Sequence, residues 1–253
     1  MRDLSNWNVC LEVGINHLGS YSLLENVIKD SSIAELGVSI TVQIKEEDFY
    51  KANKNFYLTL DEHRRFLELC RSMKIPCGLA LGPLTDVQAL KNGGLEPDFI
   101  KTLSISTEDI NFIKRLYGAY DCPKYISVGL SATDYIKDEI IPLMNKNDML
   151  IYTCLTHSSQ DQNLPEIVAL KEFGVPVCFG LHAIDKEIAF TAIGVGAEKI
   201  FVYIGNKKLD LPDYDHALDL AEIPQFTQKI DRCVGAMKHS KSKTKRVVID
   251  FVK

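Results

Sequence analysis

The sequence is poor in the features that mark several protein classes. No apolar stretch approaches the roughly 20 residues that cross a bilayer, and Met1-Arg2-Asp3-Leu4-Ser5-Asn6 lacks the apolar core of a signal peptide. The expectation is therefore a cytoplasmic protein with no membrane partner. A basic surplus is also missing: 29 Lys and Arg stand against 34 Asp and Glu, for a net charge of −5, with both signs mixed along the chain. Nucleic-acid binding, which needs a concentrated positive face, is not expected. Cysteine is present but patternless. The seven residues Cys10, Cys70, Cys77, Cys122, Cys154, Cys178 and Cys233 are odd in number and include no C-x-x-C, which favours reduced, mostly buried thiols over a disulfide framework or a zinc site. No G-x-G-x-x-G follows the first apolar run, which counts against a dinucleotide-binding fold.

What is present is a repeating pattern. The chain has 253 residues, 46% of them apolar and 25% charged, enough for a large core. Short runs rich in Val and Ile alternate with helix-like segments. Strands are predicted at Val9–Ile15, Val38–Ile44, Pro76–Leu81, Asp98–Leu103, Tyr125–Gly129, Met149–Leu155, Val175–Leu181 and Lys199–Ile204. Between and after them, helices are predicted at Tyr21–Leu36, Leu60–Met73, Leu84–Lys91, Ile110–Tyr117, Thr133–Met144, Leu164–Phe173, Ile184–Val195 and Ala221–Met237. Thr59 or Asp61 can cap the second of these helices. Strands apolar on both faces, each followed by a helix, predict a single-domain α/β fold, a (β/α)8 TIM barrel over residues 1–237, with an open doubly wound sheet as the alternative. Residues 238–253 read as a basic, polar tail or linker stub.

A barrel of this kind builds its site at the C-terminal ends of its strands. Polar residues collect there: Glu12, Asn16 and His17 after the first strand, Thr41, Gln43 and Lys45 on one face of the second, Lys101 and Ser104 on the fourth, Ser127 on the fifth, Thr153, Thr156 and His157 on the sixth, His182 on the seventh and Tyr203 on the eighth. Lys207 and Lys208 lie beyond, where barrels often bind phosphate. Lys101, set within Phe99-Ile100-Lys101-Thr102-Leu103, needs an anion to offset its burial. That anion is either the Glu12 carboxylate or a ligand. His182 is either a satisfied core histidine or a group for metal ligation or proton transfer.

Glu12-Val13-Gly14-Ile15-Asn16-His17-Leu18-Gly19 resembles the E-I-G-I-N-H-N-G opening of the sialic acid (N-acetylneuraminate) synthase, or NeuB-like, family, and further stretches follow in the same order. Phe99 to Ser104 resembles its F-K-I-A-S element, and Tyr125 to Ala132 its I-L-S-T-G-M stretch. Asn163-Leu164 and Leu170 to Val177 match closely, His182 falls on the histidine of S-D-H, and Asp215-His216-Ala217 resembles the end of G-P-D-H-A. The likeness runs from Val9 to Asp231. It implies an enzyme that condenses phosphoenolpyruvate with an N-acetylated amino sugar to give an acidic sugar, with Mn2+ or Mg2+ activating the aldehyde. It implies Glu12 and His182 as catalytic residues, His182 as a metal ligand, and Asn16, Gln43, Lys101, Ser104, Ser127 and Asp215 as substrate-binding residues. A homodimer is a further implication.

The departures are equally specific. The family's K-F-Q is Thr41-Val42-Gln43, so a lysine for phosphoenolpyruvate is Thr41. E-K-H is Phe201-Val202-Tyr203, so the second metal-binding histidine is Tyr203 and metal affinity is expected to be weakened. The S-D before His182 is Gly180-Leu181, and S-T-P on the third strand is Leu79-Ala80-Leu81. No counterpart of the family's C-terminal antifreeze-like domain is expected in this sequence, with Lys245-Arg246-Val247-Val248 read as a candidate stub of its start. Two classes of function are therefore carried forward: an acidic-sugar synthase, and a degenerate barrel that binds a sugar, an anion or a protein without turnover. A Schiff-base aldolase using Lys101 is a third.

Overall fold

The computed structural model describes residues 7–29, 31–45 and 47–237. Eight strands form a closed parallel ring: β1 (Val9–Gly14), β2 (Ser39–Ile44), β3 (Cys77–Leu81), β4 (Phe99–Thr102), β5 (Lys124–Ser127), β6 (Met149–Thr153), β7 (Val177–Leu181) and β8 (Ile200–Gly205). Each pairs with its neighbour in sequence, and β1 pairs with β8 to close the barrel. The helices between them cover the outside, so the strands are buried on both faces and read as continuous apolar runs. The fold is the expected (β/α)8 barrel. The anticipated tail at 238–253 lies outside the described residues. Among the described residues no helix is long and apolar enough to cross a membrane.

Local chemistry explains the helices that the periodicity located. Thr59 closes a capping box at the start of the helix Leu60–Ser72, accepting from the Glu62 N–H while the Glu62 carboxylate accepts from the Thr59 N–H. Phe66, Leu67 and Cys70 then face the barrel. Asp86 and Asp109 cap Val87–Asn92 and Ile110–Ala119 from one side only, their carboxylates accepting from the Ala89 and Phe112 N–H groups.

The segment after β1 is helical over Tyr21–Lys29 and Ser31–Glu35. One expected helix comes out differently. The predicted helix over Thr133–Met144 has one α turn, then a π turn at Ile136–Ile140 and a 3-10 turn at Ile141–Leu143. Pro142 has no N–H to donate, so the regular ladder cannot continue through it. A helix at Glu47–Ala52 and a two-residue strand, β9 (Leu218–Asp219), paired to the end of β8, were not anticipated.

The barrel has two distinct cores. The larger lies between the ring and the helices. The smaller fills the lower interior: Trp7, Cys10, Phe99, Tyr125, Ile151, Cys178 and Phe201. Trp7 enters from below, with its ring 5.7 Å from Phe99, 5.6 Å from Tyr125 and 5.9 Å from Phe201, centre to centre. Gly78 leaves room for the Phe99 ring, which lies 2.4 Å from where a Cβ would sit. The bottom of the barrel is thus sealed with aromatic carbon. All seven cysteines are free thiols.

Candidate active site

Side chains on a strand alternate between faces, so the residues two positions beyond the sealing layer point inward at the next level up. Cys10 is followed by Glu12, Phe99 by Lys101, Tyr125 by Ser127, Ile151 by Thr153 and Phe201 by Tyr203. Register places Glu12 between Thr41 on one side and Tyr203 on the other. An apolar floor therefore carries a polar storey.

Lys101 Nζ and the Glu12 carboxylate form an ion pair across this storey, with only 6% and 3% of their side chains exposed. The partner that Lys101 requires is thus the carboxylate three strands away. Removing one member of such a buried pair costs roughly 3–5 kcal/mol, because the other charge is stranded. Beside it runs a row of hydroxyls: Ser104 Oγ lies 2.8 Å from Ser127 Oγ, which lies 3.4 Å from Thr153 Oγ1. The row is held from behind, since the Ser127 N–H donates to Thr102 Oγ1 at 3.0 Å and the Thr107 hydroxyl donates to the Ser127 carbonyl. Gly180 clears space for it, because a Cβ there would lie 2.3 Å from Thr153 Oγ1.

Above these groups a cavity of about 220 Å³ opens at the C-terminal mouth of the barrel. Of the residues expected in the site, Gln43, Lys101, Ser104, Ser127 and His182 line it, and Lys45, Thr153 and Tyr203 join them. Glu12 sits just beneath, on Lys101. Two expected residues are placed elsewhere. Asn16 has both ends of its amide committed: Nδ2 donates to the Ile204 carbonyl at 3.0 Å, and Oδ1 accepts from the Asp213 N–H at 3.3 Å. It straps the loop after β8 to the barrel. Asp215 is exposed and is not among the cavity's lining residues. The acid that faces the cavity is Asp213. The signal for it was Pro212-Asp213, a Pro-Asp pair two residues before Asp215-His216-Ala217.

The other side of the mouth is aromatic. The rings of His182 and His216 stack at 4.8 Å and 14°, His157 lies a further 4.8 Å from His216, and Tyr203 meets His182 and His216 edge-on at 5.4 and 5.0 Å. Burial is the main force on their protons. It pushes His182 down to about 3, helped by His216, Lys101 and His157, and His216 down to about 4, helped by His157 and Lys186. Both imidazoles are neutral near pH 7. Burial, then the Glu12 and Asp213 carboxylates, push the Tyr203 phenol well above its ordinary range, so it keeps its proton. Burial, reinforced by Glu12, raises Asp213 from 3.8 to about 6 against the pull of Lys45 and Lys101. Lys207 and Lys208 are not among the residues lining the mouth; the Lys207 ammonium lies 5.0 Å from the Tyr214 ring centre.

The donors here do not fit a divalent cation. Glu12 is taken by Lys101, Tyr203 is a neutral phenol, and stacked imidazoles aim their lone pairs along parallel planes rather than at one point. Among the described residues, no group of three or more His, Cys, Asp or Glu side chains is placed to hold a metal ion. Tight divalent binding needs several convergent ligands.

The model of the NeuB family matches residues 23–242. No curated protein matches the chain. Among solved structures, the N-acetylneuraminic acid (sialic acid) synthetase of Leptospira borgpetersenii, determined in complex with citrate, is 17% identical, with a TM-score of 0.82 over 95% of this chain and 88% of its own. The putative spore coat polysaccharide biosynthesis protein E of Chromobacterium violaceum is 16% identical, with a TM-score of 0.77 over 94% of this chain and 77% of its own. A truncated 3-deoxy-D-arabino-heptulosonate 7-phosphate synthase from Thermotoga maritima is 14% identical, with a TM-score of 0.70 over 92% of this chain and 88% of its own. At these identities the likeness is one of fold.

Proposed function

The chain belongs to the NeuB family, and from that premise we propose that it is an acidic-sugar synthase that joins phosphoenolpyruvate to an N-acylated amino sugar at the mouth of its barrel. The observation that carries this reading is the 220 Å³ cavity in which Lys101, Lys45 and the Ser104–Ser127–Thr153 hydroxyl row face one another over an apolar floor. Cations and hydroxyls convergent in a partly closed site suit a small anion carrying a carboxylate and a phosphate. Thr41 supplies no charge, and Lys45, whose Nζ lies 4.9 Å from the Phe49 ring centre, is the second cation of the site.

In this reading C3 of the enol attacks the sugar's aldehyde carbon, water adds to C2, and phosphate leaves. Lys101 and the hydroxyls hold the anion, Glu12 orients Lys101, and Asn16 holds Asp213 at the mouth. Isothermal titration with phosphoenolpyruvate, and phosphate release on adding a panel of N-acyl hexosamines, test it. Binding with release supports a synthase. Binding without release from any acceptor favours the second reading, a barrel that binds anions without turnover, which the lack of convergent metal ligands supports. Absence of binding removes both. Lys101→Met is expected to weaken phosphoenolpyruvate binding at least about tenfold, as loss of one charged partner does.

A further inference from the structure

The mismatch between this mouth and a metal ion leaves the acceptor's carbonyl without an evident electrophile, and one side chain is placed to supply it. Tyr203 is 9% exposed and lines the cavity. Its hydroxyl has no hydrogen-bond partner among the described residues. Its ring is held firmly: His182 and His216 lie against it edge-on, the Lys101 ammonium is 5.8 Å from its centre, and Cε1 lies 2.7 Å from where a Cβ on Gly14 would sit. Two neighbouring kinds of donor are already engaged. Lys101 is paired with Glu12, and the Ser104, Ser127 and Thr153 hydroxyls bond along their own row. The hydroxyl opens onto the cavity, so it can donate to an incoming acceptor without breaking a bond inside the protein.

We propose that the Tyr203 hydroxyl is the electrophilic group of this site: it donates a hydrogen bond to the aldehyde oxygen of the sugar, so that condensation proceeds without a divalent ion. This rests on the synthase reading above. The electron pair of the C2=C3 double bond forms the new carbon–carbon bond, and the carbonyl π pair becomes an alkoxide, stabilised by Tyr203. Water adds at C2 and gives up one proton, which neutralises the alkoxide. The resulting hemiketal loses its hydroxyl proton to the departing phosphate as the C2–O bond to phosphate breaks and C2 becomes a ketone. Tyr203 ends the cycle with its own proton.

The test measures phosphate release by the wild type, Tyr203→Phe and Tyr203→His, each in EDTA and in added Mn2+, alongside calorimetric phosphoenolpyruvate binding and electron paramagnetic resonance of Mn2+ mixed with each protein. The expected result is wild-type turnover indifferent to EDTA, no bound Mn2+ signal, and a loss of about 100- to 1,000-fold in kcat for Tyr203→Phe, the usual cost of one oxyanion donor. Phosphoenolpyruvate affinity is unchanged in that variant, which also shows that it folds. Wild-type activity that EDTA abolishes, a bound Mn2+ signal in the wild type, or full kcat in Tyr203→Phe overturns the inference and leaves the synthase reading standing. A wild type that binds phosphoenolpyruvate but releases no phosphate with any acceptor overturns the synthase reading, and this role with it.

Discussion

Asp213 shows how much one residue's chemistry depends on its neighbours. Burial and the Glu12 carboxylate hold its proton up to about 6, and its carboxyl group faces the same cavity as Lys101 and Lys45. Below that pH it is neutral. Above it, a carboxylate competes with any anion for the two ammonium groups. Phosphoenolpyruvate affinity should therefore fall as pH rises through about 6, by at most about one decade per pH unit for a single linked proton. Asp213→Asn should remove that component. The ligand's own phosphate titrates in both proteins alike, so the difference between the two calorimetric pH profiles isolates Asp213; identical profiles would refute its role. Lys101 was legible as a cation on an apolar strand that needs an anion, with the Glu12 carboxylate as one of two candidates. Asp213 was not, because loop residues follow no period and only the strap from Asn16 shows which acid turns inward.

At the scale of elements, the end of β1 governs the site. The pairing of β1 with β2 shifts register between Glu12 and Gly14, and Gly14 adopts a φ of +56°. A left-handed residue there turns the chain out of the barrel, and the missing side chain admits the Tyr203 ring. Gly14→Ala meets both obstacles: an unfavourable φ and a Cβ 2.7 Å from Tyr203 Cε1. The expected cost is about 1–3 kcal/mol from backbone strain, read as a lower melting temperature, together with a fall in kcat as Tyr203 shifts. A variant that melts lower with kcat intact would mean that the Tyr203 position is not critical. A helix start such as Thr59 was readable because capping is local chemistry. The broken helix after β5 was not called from periodicity, although Pro142 marked it. The β9 pairing needs a partner strand that no local pattern reveals.

At the scale of the molecule, the barrel works as a vessel with an aromatic base and a polar mouth. Trp7 closes the base, buried to 2% exposure, with its carbonyl accepting from Lys199 Nζ and the Lys199 ammonium 4.0 Å from its ring centre. Trp7→Ala would empty the centre of the lower core and is expected to cost about 3–5 kcal/mol, measured by urea denaturation. Phosphoenolpyruvate affinity in the folded fraction should be unchanged, because the polar storey rests on Phe99, Tyr125 and Phe201 as well. A loss of binding without a loss of stability would show that base and mouth are coupled in a way this layering does not provide.

The sequence by itself determined the architecture. Apolar runs alternating with amphipathic segments have one economical burial, a closed parallel ring under helices, and the period-two placement of Glu12, Gln43, Lys101, Ser127 and Tyr203 sends them to the inside of that ring. The tertiary structure alone decided which of those groups are already taken and which are open. Charge pairing and hydrogen bonding act across the barrel at distances of a few Å, between residues far apart in sequence: 89 positions for Lys101 and Glu12, and 197 for Asn16 and Asp213. No local pattern encodes that meeting, so the commitment of Lys101 to Glu12, the turn of Asp213 into the cavity and the unpartnered hydroxyl of Tyr203 appear only when the ring is closed.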